Sequence, residues 1–167
     1  MSSPPLPDLP IEIDVAIPHE PWRAALPNLE HLSALAVEQA LATLSDPKLG
    51  ELSLAFVSDA QIQALNHNYR EKDKPTNVLS FPAAGPVSGP AAMLGDVVIA
   101  LETVETEAKQ KLISVQDHTA HLIIHGFLHL QGYDHETNQD AAQMEGLEIQ
   151  ALAALDIDNP YEIHDRI

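Results

Sequence analysis

Three histidines fall within one eleven-residue stretch, His125-Gly126-Phe127-Leu128-His129-Leu130-Gln131-Gly132-Tyr133-Asp134-His135. Four residues of α-helix turn through about 400°, so His125 and His129 project from one face a turn apart. Gly132 permits a sharp reversal that a side chain would resist. That reversal carries His135 back toward the first two. Three imidazoles meeting at one point suit a tetrahedral metal whose fourth position stays open to water. Imidazole nitrogen suits several first-row metals, and in a chain with no cysteine zinc is the default.

The spacing H-x-x-x-H-x-x-G-x-x-H is also that of the metzincin peptidases. Those enzymes carry a glutamate after the first histidine to take the water's proton. Gly126 stands there in this chain, so peptidase activity is not expected. Ordinary burial of the histidines is the competing explanation, since Leu122, Ile123, Ile124, Phe127 and Leu128 surround them. Three unliganded buried imidazoles would each need a polar partner, which favours a metal. His118 and His121 continue the stripe too far up the helix to join the three. They are expected to pack, or to hold a neighbouring ligand by a hydrogen bond. His19, His31, His67 and His164 show no ligand spacing.

The elements that must position these groups follow from hydrophobic period. Ile11–Ile17, Leu52–Val57, Val78–Phe81 and Gly95–Leu101 read as strands. Helices are expected over His31–Leu44, from Ser58 or Asp59 through Tyr69, from Glu102 to about Leu112, from about Val115 to Leu130, and from Asn138 or Asp140 onward. Residues 1–10, with four of the thirteen prolines, read as an extended arm. Residues 82–94, rich in Pro, Gly and Ala, read as a loop or flap over the site. The expectation is one α+β domain over residues 11–167. A mixed sheet of about four strands packs with about five helices, and the metal site lies at the end of a central helix.

A chain of 167 residues, 45% apolar and 20% charged, can bury a core unaided. The absence of cysteine excludes disulfides, thiol nucleophiles and thiolate metal sites. The N-terminus has neither the basic start nor the apolar centre of a secretory signal, and no apolar run is long enough to span a bilayer. A cytoplasmic address and no membrane partner are therefore expected. The formal charge of −17 argues against broad nucleic-acid binding, but it is uneven. Residues 68–135 carry 5 bases and 8 acids, whereas each flank is at −7. Arg70, Lys72 and Lys74 lie within five residues. Any phosphate-binding surface is expected from this middle third, with Lys109 and Lys111 as further candidates.

The stretch from His125 to His135 resembles the signature of the YbeY family, the bacterial rRNA maturation ribonucleases. Leu65-Asn66-His67-Asn68-Tyr69-Arg70, followed by Lys72-Asp73-Lys74-Pro75-Thr76-Asn77-Val78-Leu79-Ser80-Phe81-Pro82, resembles the family's second block. Leu94-Gly95-Asp96-Val97-Val98-Ile99 and Met144-Glu145-Gly146-Leu147-Glu148 are similar to two more, so the resemblance covers roughly residues 50–155. It implies a zinc-dependent, single-strand-specific endoribonuclease acting in ribosomal RNA (16S) maturation and ribosome quality control. It implies one zinc ion on His125, His129 and His135, and a functional role for Arg70. The implied partners are single-stranded ribosomal RNA and the small subunit or its assembly factors, not DNA.

Elementary chemistry is compatible with this. An arginine fork can hold two oxygens of a phosphoryl group as charge develops on them. Asp134 is a candidate general base, and equally a carboxylate that orients a zinc-bound histidine. The nucleophile, water or the RNA 2′-hydroxyl, stays open. The rival function is a non-catalytic ribosome assembly factor with a structural zinc, which would need a fourth protein ligand.

Overall fold

Strand β1 (Glu12–Ala16) turns Ile13 and Val15 toward the core and leaves Glu12, Asp14 and Ala16 exposed. This is the alternation of a strand with one wet face. The structure is a computed structural model that describes residues 6–85 and 92–162. After β1 come α1 (Pro21–Ala25), α2 (Leu29–Ala42), β2 (Glu51–Val57), α3 (Asp59–Arg70), β3 (Val78–Pro82), β4 (Met93–Ala100), α4 (Leu101–Lys111), α5 (Val115–Leu130) and α6 (Asn138–Ala153). The sheet order is β1-β2-β4-β3. The first three strands are parallel, and β3 pairs antiparallel with β4 at the edge. This is the expected α+β domain with a four-stranded mixed sheet.

One helix was not expected. Helix α1 has only five residues, too few to show a period. It exists to bury Trp22, which is fully inaccessible. The indole donates its N–H to the Val57 carbonyl at 2.9 Å and meets Phe56 edge-to-face at 5.1 Å. The described residues therefore hold six helices rather than five.

Of the expected arm, residues 1–5 lie outside the described residues; residues 6–10 form no helix or strand, and Leu9 packs on the main core. Of the expected 82–94 loop, residues 86–91 lie outside the described residues, while Pro82 closes β3 and Met93 opens β4.

Helix α5 is the spine. Its N-terminus is capped by Ser114, whose Oγ accepts from Asp117 N–H, and eleven of its sixteen residues are buried. It packs against α2 and α6 on one side and lies along β3 and β4 on the other. Gly126 is the point of closest approach. A Cβ there would meet Val97 Cγ1 at 2.5 Å and Ser80 Oγ at 3.2 Å. The other sheet face carries a smaller cluster, Val57, Ile62, Leu79, Val98 and Ala100, with Leu65 of α3 against it. Helix α3 is fixed at its start by a capping box between Ser58 and Gln61. Among the described residues no helix is long and apolar enough to cross a membrane.

Candidate metal centre

The last turn of α5 and the reversal after it build the site. The Gly132 N–H bonds the His129 carbonyl, and the Tyr133 N–H bonds the Leu128 carbonyl. These are the two closing bonds of a Schellman motif. Gly132 supplies the left-handed residue the motif needs, at φ 102°. The chain reverses and His135 returns against the helix. One ring nitrogen from each of His125, His129 and His135 lies within 4.8 Å of the others, so the three could hold a metal ion. The ring centroids are 4.6 Å apart for His125 and His129, 5.6 Å for His125 and His135, and 5.2 Å for His129 and His135.

The donor set fits a first-row metal. His125 Nε2 and His129 Nε2 face each other at 3.1 Å. His125 Nδ1 is turned away, 3.2 Å from Glu148 Oε2. A carboxylate only accepts, so a proton on that Nδ1 would be donated to it while Nε2 faces the cluster. Burial, then the neighbouring His125 and His135, push the His129 imidazole below its usual pKa. Its neutral, metal-binding form is thereby favoured.

His125, His129 and His135 open into a cleft of about 400 Å³ whose other walls are Arg70, Asn77, Val78, Ser80 and Pro82. Arg70, the last residue of α3, thus comes to the cleft from across the chain. Asn66 fixes the turn that follows it, donating from its buried amide to the Lys74 carbonyl at 3.0 Å. Lys72 and Lys74 are exposed and do not line the cleft. Asn77 Nδ2 donates to Glu107 Oε1 at 2.9 Å, and buried His118 shares the same oxygen at 2.8 Å. Burial pushes the Glu107 carboxyl up, but the bonds from His118 and Asn77 leave it below its usual range. Ser80 Oγ donates to the Gly126 carbonyl at 3.3 Å, tying β3 to α5 beside the ligands.

Asp134 is not part of the cleft lining; its Oδ1 accepts from the Glu136 N–H at 3.2 Å within the reversal. The carboxylate that meets a cluster histidine is Glu148, on the buried side of α6. Composition gave no reason to single it out beyond its place in the resembling block. The signal is its spacing from Met144, Ala151 and Leu152, a single acid set in an apolar stripe. His121 Nε2 and the Tyr161 hydroxyl both donate to Glu148 Oε1 at 2.5 Å. Burial opposes ionisation of Glu148, yet the bonds from His121 and His125 hold its pKa down to about 2. Burial and the same carboxylate push the Tyr161 hydroxyl well above the usual phenol range. His118 and His121, expected to pack or to hold a neighbour, are both buried and both bonded to glutamates.

Comparison with known proteins converges on one family. The profile described as Endoribonuclease YbeY matches residues 19–156. A protein named Endoribonuclease YbeY from Azorhizobium caulinodans is 46% identical over 156 residues, covering 92% of this chain and 98% of its own length. One of the same name from Rhizobium etli is 56% identical over 119 residues, covering 69% of this chain and 68% of its own. The solution structure of TM1509 from Thermotoga maritima, 23% identical, superposes with a TM-score of 0.55 over 86% of this chain and 91% of that one, which supports the fold. With its histidine cluster and most of its core inside the matched span, the chain belongs to the Endoribonuclease YbeY family.

Proposed function

We propose that the protein is a zinc-dependent endoribonuclease that cleaves single-stranded ribosomal RNA in the cytoplasm, acting in 16S rRNA maturation and ribosome quality control. The observation that carries this reading is a three-imidazole cluster opening into a cleft that also holds an arginine from a distant element. Family membership supports RNA as the substrate. Imidazole-only ligands favour zinc among metals that imidazole binds. Three protein ligands beside an open cleft are the pattern of catalytic rather than structural zinc, which disfavours an assembly factor with a purely structural metal.

His125, His129 and His135 would hold the zinc, which when bound would supply Lewis acidity for the phosphodiester. The Arg70 guanidinium, on the same cleft, holds the non-bridging oxygens and strengthens its contact as charge builds on them. Asn77, its amide oriented by Glu107, gives the cleft a fixed polar group. Asp134 braces the reversal that presents His135. Gly126 leaves no room for the glutamate of the zinc peptidases, since even a Cβ there would strike Val97.

Single-turnover cleavage of single-stranded rRNA by protein purified under nuclease-free controls tests the proposal, with His129→Ala prepared identically. Elemental analysis should give near one zinc per chain, sharply lower in His125→Ala and His129→Ala, and cleavage should vanish with the metal. Arg70→Ala should keep the metal and lower the rate on bound RNA more than the affinity. Cleavage that persists in metal-free His129→Ala protein would overturn the assignment.

A further inference from the structure

Glu148 is 1% exposed, on the same side of α6 as Met144, Ala151 and Leu152. A carboxylate in such a place costs several kcal/mol unless it is fully bonded, and a leucine or methionine would be no worse for stability. All its partners are donors. His121 Nε2 and the Tyr161 hydroxyl land together on Oε1 at 2.5 Å, and His125 Nδ1 lies 3.2 Å from Oε2. The two bonds to Oε1 fix the rotation of the carboxylate, because turning it would break both. That leaves Oε2 pointed at His125.

The His121 ring agrees with this arrangement. Among the described residues its Nδ1 is buried with no hydrogen-bond partner. A bare lone pair there costs less than a stranded N–H. That favours a proton on Nε2, donated to Glu148. The partners of the three cluster histidines are also unequal. His125 has a buried carboxylate, whereas His135 is exposed.

We propose that Glu148, clamped by His121 and Tyr161, is the positioning residue that fixes His125 as the Nδ1–H tautomer and thereby sets metal affinity. The proposal rests on the metal-centre reading above. It separates the ligands, which all come from α5 and its reversal, from the group that orients them, which comes from α6. A free imidazole exchanges its proton between both nitrogens. At position 125 that exchange would hide the ligating lone pair for part of the time. The carboxylate removes the exchange and also makes the ring a stronger donor.

Glu148→Gln keeps the side-chain shape and removes the charge. Two readouts are taken on the full chain. The first is the His125 tautomer in metal-free protein at mildly alkaline pH, from long-range nitrogen–proton correlation spectra. Wild type should show Nδ1 protonated and Nε2 bare, and Glu148→Gln should show both forms. The second is zinc affinity by competition with a chromophoric chelator, expected to fall about 10–100-fold in Glu148→Gln. Tyr161→Phe removes one clamp and keeps the carboxylate, so its loss should be smaller.

If Glu148→Gln fails to fold, the wild-type spectrum still decides: Nε2 protonated in metal-free wild type overturns the proposal. A folded Glu148→Gln protein with unchanged tautomer and unchanged zinc affinity also overturns it, and makes Glu148 a packing residue. A wild type that takes up no zinc overturns the metal-centre reading and this proposal together. It is told apart from the other failures because the tautomer is read without metal.

Discussion

Adding one methyl group at Gly126 should separate the two walls of the cleft without touching a ligand. In Gly126→Ala the new Cβ would lie 2.5 Å from Val97 Cγ1 and 3.0 Å from Cγ2. Carbon–carbon contacts settle near about 3.5–4.0 Å, so about 1 Å of separation is needed. Valine turns aside only at a cost, because its β-branched side chain is restricted at χ1. Helix α5 therefore lifts from β4. Overpacking of this kind costs about 1–3 kcal/mol, and replacing a helix-interior glycine by alanine returns about 1 kcal/mol. A net loss of up to about 2 kcal/mol follows, a Tm lower by up to roughly 8 °C in a chain of this size.

The functional effect is larger. His125, His129 and His135 move with α5 and its reversal, while Arg70, Val78 and Ser80 stay with α3 and β3. Zinc content should be unchanged. Turnover should fall by up to about 100-fold, the cost of a misplacement near 1 Å between groups that act together. Thermal unfolding, elemental analysis and single-turnover cleavage on one preparation read all three. A Gly126→Ala protein as stable as wild type and fully active would refute the argument, because the close approach of α5 to β4 would then not set the cleft.

Two other perturbations follow from the packing and the charges. Trp22→Ala should cost about 3–5 kcal/mol in urea unfolding, since it empties a fully buried site and strands the Val57 carbonyl. Glu107 has its carboxyl held below the usual range, chiefly against burial, by His118 and Asn77. A depressed acid stabilises the fold above its unfolded pKa and loses that contribution as pH falls through the folded one. Between neutral pH and about pH 3 the stability of Glu107→Gln should therefore fall less steeply than that of wild type, and equal slopes would remove Glu107 from the account.

Much of the site was legible because it is local. His125, His129, Gly132 and His135 need only helical spacing and a left-handed glycine to converge, and both can be read from residue types. The start of α3 was legible for a similar reason, since Ser58 caps it through its own side chain. What the sequence withheld depends on tertiary contacts. Helix α1 has no period and forms around the burial of Trp22. Asp134 drew attention by standing next to a ligand, yet its oxygen holds a backbone turn. Glu148 is marked in the sequence only as an acid within an apolar stripe, and the packing of α6 on α5 is what brings it to His125. Arg70 could be named from the resemblance, but its arrival at the cleft depends on β3 taking the sheet edge beside α5.

The locality of the ligands has a further consequence for linkage. The three histidines span eleven residues, and closing so short a segment costs an unfolded chain little entropy. The unfolded state can then hold zinc as well, which reduces the stabilisation the ion gives to the native state below what its native affinity implies. Zinc binding and global unfolding should come partly apart. Excess zinc should raise the Tm by less than its native affinity implies, the remaining shift being set by what Glu148 adds in the folded state. In denaturant, ion release should trail the loss of the cleft, because Arg70 and the β3 wall leave when the sheet parts from α5 while the histidine turn can still close on its metal.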